Sequence, residues 1–114
     1  MGEVTDYYAT LPPDVFELFD GIRIRALELV PDAVEGRSYG MAALLYRGKG
    51  LIAVVQAKNH LANYPFSGKV VGAVADRLDG FVLSTGAIRF SLEKPIPPDV
   101  LDDVINLRVA EIER

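Results

Sequence analysis

The residues best suited to chemistry in this chain are few, and their spacing narrows what they could do. His60 is the single histidine, so any Ser–His relay would have to run through it. No Gly-x-Ser-x-Gly elbow accompanies it, and one imidazole cannot supply a His-Glu-x-x-His zinc helix. Ser67-Gly68-Lys69-Val70 contains the Gly-Lys of a phosphate loop. Val70 replaces its Ser/Thr, however, and Asn63 stands where its first glycine belongs, so nucleotide hydrolysis is set aside. Two groups remain. Asp14, Glu17 and Asp20 recur every third residue and would form an acidic line on a helix, either a solvated face or a weak site for a hard cation such as iron. Asp99, Asp102 and Asp103 could extend that surface from a second helix. The other group is Tyr39, Lys58, His60, Tyr64 and Arg89, donors and aromatic walls that could close around a small anion. For His60 itself the first reading is a hydrogen-bonded turn histidine, ahead of a ligand-contacting group or a metal ligand.

The elements that must carry these residues follow from punctuation and periodicity. Pro12-Pro13-Asp14 opens a helix that runs to about Val30 and stops before Pro31. Val15, Leu18, Phe19, Ile22, Ala26, Leu29 and Val30 form its apolar stripe, while Ile24 falls among the acids. A short helical turn precedes it, around residues 3–10. Strands are expected at 34–39, 41–47, 51–58, 60–66, 81–84 and 87–92, with a hairpin turn at Arg47-Gly48-Lys49-Gly50 and a short helix at 68–78. Pro97-Pro98-Asp99-Val100 repeats the opening of the first long helix. Arg108 lies inside this last helix's apolar stripe and therefore needs a carboxylate, a cluster of carbonyls or an edge to snorkel from. The expected fold is one α+β domain over residues 1–114. It has two layers, with the terminal helices side by side on one face of five or six mostly antiparallel strands in a meander, and the other face open or covered by a partner.

Composition bounds the rest. The chain has 114 residues, half of them hydrophobic, a quarter charged and none cysteine. That fits a globular domain without disulfides, iron–sulfur clusters or zinc fingers. The acidic start has no apolar leader, and no apolar run approaches membrane-spanning length, so a cytoplasmic protein without membrane contact is expected. The net charge of −4 divides into −6 over residues 1–36, +5 over 37–94 and −3 over 95–114. The ends are acidic and the middle basic. A pI near 4.9 and the lack of an aromatic–basic motif argue against nucleic-acid binding.

Several motifs in order suggest a family. Tyr39-Gly40-Met41, Tyr46-x-Gly48-Lys49, Lys58-Asn59-His60-Leu61, Tyr64-Pro65, Gly86-x-Ile88-Arg89-Phe90 and Lys94-Pro95-Ile96-Pro97, followed by a helix with Arg108, resemble the YdhG-like domain-of-unknown-function family. Ala42 departs from that family's usual proline after Tyr-Gly-Met. The resemblance implies a small intracellular, frataxin-like α–β–α domain. It also brings the label of intracellular iron chaperone carried by some members. The expected function is then non-catalytic binding, with weakly held iron on Asp14, Glu17 and Asp20. The alternatives are a small anionic ligand at Tyr39, Lys58, His60, Tyr64 and Arg89, or a protein-interaction module. For the last, exposed Ile24 and an uncovered sheet would permit self-association into a homo-oligomer.

Overall fold

The structure, a computed structural model, describes residues 2–114. Helix α1 spans Glu3–Tyr8 and α2 spans Pro13–Leu29. Strands β1 to β4 follow at Val34–Ser38, Met41–Tyr46, Lys49–Gln56 and Leu61–Tyr64. Helix α3 is Gly68–Val74 and runs into a 3-10 turn at Ala75–Arg77. Strands β5 (Val82–Leu83) and β6 (Ile88–Phe90) precede α4 at Pro98–Glu113. Pro13 and Pro98 stand in the first turns of the two long helices, where a missing N–H costs nothing. Ser67 caps α3, its hydroxyl accepting from the Val70 N–H at 3.2 Å.

All six strands pair antiparallel, in the order β1-β2-β3-β4-β6-β5. The first four form the expected meander. The last two depart from it, because β6 lies beside β4 and β5 is the outer strand. The ten residues of α3 and its 3-10 turn carry the chain past the inner position, and the β5–β6 hairpin folds back into it. The turns Tyr39-Gly40 and Arg47-Gly48 have φ of 51° and 77°, and 53° and 78°. Left-handed backbone at both central residues is what a two-residue hairpin needs to match strand twist. Between β2 and β3 the register steps from Leu44 opposite Ile52 to Leu45 opposite Gly50. Leu51 is therefore the extra residue of a bulge, and it is fully buried.

Helices cover one face of the sheet. Glu35, Arg37, Leu44, Ile52, Val54, Leu61, Asn63, Ile88 and Phe90 share that face through the pairing register. The core joins the apolar members of this set to Val15, Phe19, Ile22 and Ala26 of α2, Val70 and Val74 of α3, and Val100, Val104 and Ile105 of α4. The molecule is 24 Å thick in its short dimension, which suits one sheet and one helical layer and leaves no room for a third. The two terminal helices thus lie on the same side. On the other face, buried Ala43, Ala53 and Ala62 sit among half-exposed Leu45, Val55 and Tyr64, exposed Val34 and Val82, and Arg89.

Helix α1 is held by a specific latch. The Thr5 N–H and hydroxyl donate to the two oxygens of Glu35, at 2.6 and 2.7 Å. Partial burial works against ionisation of Glu35, but the N–H and hydroxyl bonds from Thr5 and the N–H of Val4 outweigh it and hold the carboxyl below its ordinary range. The latch is complete above the unfolded glutamate value, about 4.3, and is lost as pH falls through the lower folded value. Acidification through that value should lower the protection of the α1 amides, relative to their intrinsic exchange rates at each pH, before the sheet responds. Glu35→Gln should produce the same loss at neutral pH, and unchanged α1 protection in that variant would refute the latch.

Arg108, the buried-stripe arginine, finds both kinds of partner anticipated for it. Its Nε donates to the Gly50 carbonyl at 2.9 Å, and a terminal nitrogen pairs with Glu111 at 3.1 Å. Glu111 also accepts from the Ser67 hydroxyl at 2.8 Å. One side-chain chain thereby ties the bulged strand, α4 and the cap of α3 together.

Candidate functional site

A groove of about 630 Å³ lies between α2, the start of α4 and the segment before it. Its wall on α2 is Asp14, Glu17, Leu18, Gly21, Ile22 and Arg25. These recur at i, i+3, i+4, i+7, i+8 and i+11, one stripe of a helix next to the stripe that enters the core. Leu92, Pro95 and Ile96 form the opposite wall with Pro98, Leu101 and Asp102. The prolines hold this segment extended, so it stands beside α2 without covering it. Leu92 is exposed.

The groove's polar groups differ in their state. Arg25 donates to both oxygens of Asp102, at 2.8 and 2.7 Å, and to Glu28 at 3.2 Å. The Arg25 bonds hold the Asp102 carboxyl below its usual range, and the Arg25 guanidinium is pushed upward in turn. This end of the groove is charge-balanced. At the other end Asp14 and Glu17 are exposed and take part in no ion pair among the described residues. The arrangement can hold an apolar body and place a positive group against two carboxylates.

The acidic line does not act as one surface. Residues three apart on an α-helix drift by about 60° per step, so Asp14 and Glu17 reach the groove rim and Asp20 turns away. Asp20 instead accepts from Arg23 Nε at 2.8 Å. Asp99 and Asp103 bind Arg77, and Asp102 binds Arg25. Among the described residues, no three His, Asp or Glu side chains gather as metal ligands.

The five sheet residues fall into two shallow depressions and a loop. Tyr39 and Tyr64 line one depression with Met41 and Phe66. Tyr39, 88% exposed at the tip of its turn, stacks on Phe66 with 5.9 Å between ring centres. His60 and Arg89 line the other, with Phe81 and Lys94. Lys58 lies in the exposed loop between β3 and β4 and lines neither. Arg89 is on the open face, since it alternates with the inward-facing Ile88 and Phe90. Arg37 is on the helix face, where it donates to Glu3 at 3.1 Å and to the Gly40 carbonyl at 2.7 Å.

Sequence reasoning missed the groove because Leu18 and Ile22 read as core and its second wall is remote in the chain. Two signals were present: an uncapped glycine in mid-helix at position 21, and the apolar Pro95-Ile96-Pro97-Pro98 run.

No helix of the described residues is long and apolar enough to cross a membrane. No protein-family model matches the chain, and no curated protein matches it. Among solved structures, a DUF1801-family protein (YdhG) from Bacillus subtilis is similar with a TM-score of 0.85 at 18% identity, over 97% of this chain and 91% of that one. The likeness shows that this chain has the α+β fold of that DUF1801 protein.

Proposed function

We propose that this protein is a non-catalytic binding domain whose ligand site is the groove between α2 and α4. The observation that carries this reading is the 630 Å³ trough itself, apolar along its floor and acidic at one rim. That is the size and character of sites that take small molecules or short protein segments. The two depressions on the sheet side are smaller, at about 290 and 370 Å³, and four of the five anionic-ligand candidates are divided between them.

A second reading keeps iron as cargo on a frataxin-like domain. It is supported by the family label that the resemblance carries and by Asp14 and Glu17, which hold no ion pair among the described residues. Two exposed carboxylates without a third donor bind a hard cation weakly, which suits transfer more than storage.

One set of amide spectra tests both. Naphthylmethylamine should shift the amides of Leu18, Gly21, Ile22, Leu92 and Leu101, whereas ferrous iron added without oxygen should broaden Asp14 and Glu17. Amine shifts gathered on β3 and β4, or scattered over the surface, would overturn the groove reading. Iron broadening that misses the first turn of α2 would remove the second.

A further inference from the structure

We infer that the groove receives an amphipathic α-helix of a partner protein, apolar on the face that enters and basic along its flank. The inference rests on the groove being the binding site and specifies what fills it.

Gly21 is the first ground. It lies in the middle of a 17-residue helix, is exposed, and a Cβ built there meets nothing within 4 Å. Neither a turn nor close packing inside this molecule accounts for a glycine at that place. A glycine inside a helix is less favourable than alanine there. Its physical use is to let another backbone approach closely. Gly21 also sits halfway along the groove wall, between Leu18 and Ile22 on one side and Glu17 on the other.

Shape is the second ground. From Asp14 to Arg25 the wall follows α2 for about 16 Å, at 1.5 Å per residue. That is roughly three helical turns, the span over which a docked helix presents its i, i+3, i+4 and i+7 anchors. Ile24, 47% exposed and one turn beyond Gly21, lengthens the apolar strip on the solvent side.

Charge selects the partner. Among the described residues Asp14 and Glu17 hold no ion pair at one end, while Arg25 at the other is already neutralised by Asp102 and Glu28. The vacant complementarity is for cations. The long helices of a second copy do not offer it, because α2 carries four acids against two bases and α4 five acids against one base. A helix with Lys or Arg beside its apolar stripe does.

The test uses three synthetic peptides of about 14 residues, long enough for three to four turns. One has a Leu stripe flanked by Lys, the second has Glu in place of Lys, and the third has the basic composition broken by two central prolines. The basic helix should bind and shift Leu18, Gly21, Ile22 and Leu101, with affinity falling as salt rises. Gly21→Leu should weaken it by about tenfold or more by filling the crossing point, while the variant's melting temperature holds or rises. Asp14→Asn with Glu17→Gln should weaken it and flatten the salt dependence. Equal binding of the acidic peptide, full binding to Gly21→Leu, or equal binding of the proline peptide would overturn the inference. If naphthylmethylamine enters the groove and the basic helix does not bind, the helical occupant fails and the groove reading stands. If neither occupies it, both fail.

Discussion

Asn63→Leu should make this protein more stable, by about 1–3 kcal/mol. Asn63 is wholly buried on the helix-facing side of β4, between Val54 and Ile88 in the neighbouring strands. Its side-chain nitrogen and oxygen have no hydrogen-bond partner among the described residues. An unsatisfied buried polar group costs about 1–3 kcal/mol, and an apolar group of similar shape removes that cost while adding burial. Some of the gain offsets imperfect fit, since leucine branches differently. The urea midpoint should rise with an unchanged slope, and the melting temperature should rise by about 4 °C or more per kcal/mol. Asn63→Asp supplies the opposite sign, because a carboxylate there must be buried without a counter-ion or be protonated. A destabilised leucine variant would mean that the amide is satisfied in solution.

Phe19→Ala should be among the most damaging single changes, at about 3–5 kcal/mol. That is a large share of the 5–15 kcal/mol by which domains are commonly stable. Phe19 has no exposed surface and joins two other aromatics: Tyr8 of α1 with ring centres 5.6 Å apart, and Phe90 of β6 at 6.2 Å. Truncation therefore opens a cavity and cuts the contact through which α2 joins α1 to the sheet. Burial of Tyr8 also pushes its phenol upward, so it remains neutral there. The variant should unfold at much lower urea and lose amide protection in α1 first. A cost under about 1 kcal/mol would show that the three rings do not form a common core.

Most of the architecture could be read from local signals. Prolines at 13, 31 and 98 set the long helices, and the glycine turns at 40 and 48 set the first two hairpins. The Ile24 anomaly is visible as an exposed apolar residue, and Arg108 found the carboxylate and carbonyl its position required. What stayed hidden depends on contacts between distant residues. Nothing near Asp102 announces that Arg25, 77 residues earlier, consumes its charge. Asp20 is taken by Arg23 in its own helix, an arrangement that a count of acids passes over. The exchange of β5 and β6 depends on how far α3 carries the chain, and the bulge at Leu51 on how two strands fall out of step. The groove belongs to the same class, since its walls are residues 14–25 and 92–102. The sheet-side set read as one pocket because alternation places residues on a face without saying how far apart along it they fall. His60 precedes β4 and Tyr64 ends it.

The two margins of the sheet govern how this chain behaves when crowded. The outer strand β5 is two residues long, too short to template another chain. The outer strand β1 carries Gly36 at its centre and turns Glu35 and Arg37 toward its own helices, where α1 holds them. A newcomer strand adding to either margin would find few free amides or would have to disturb a folded helix. Strand addition at either margin should therefore not seed fibrils in concentrated solution.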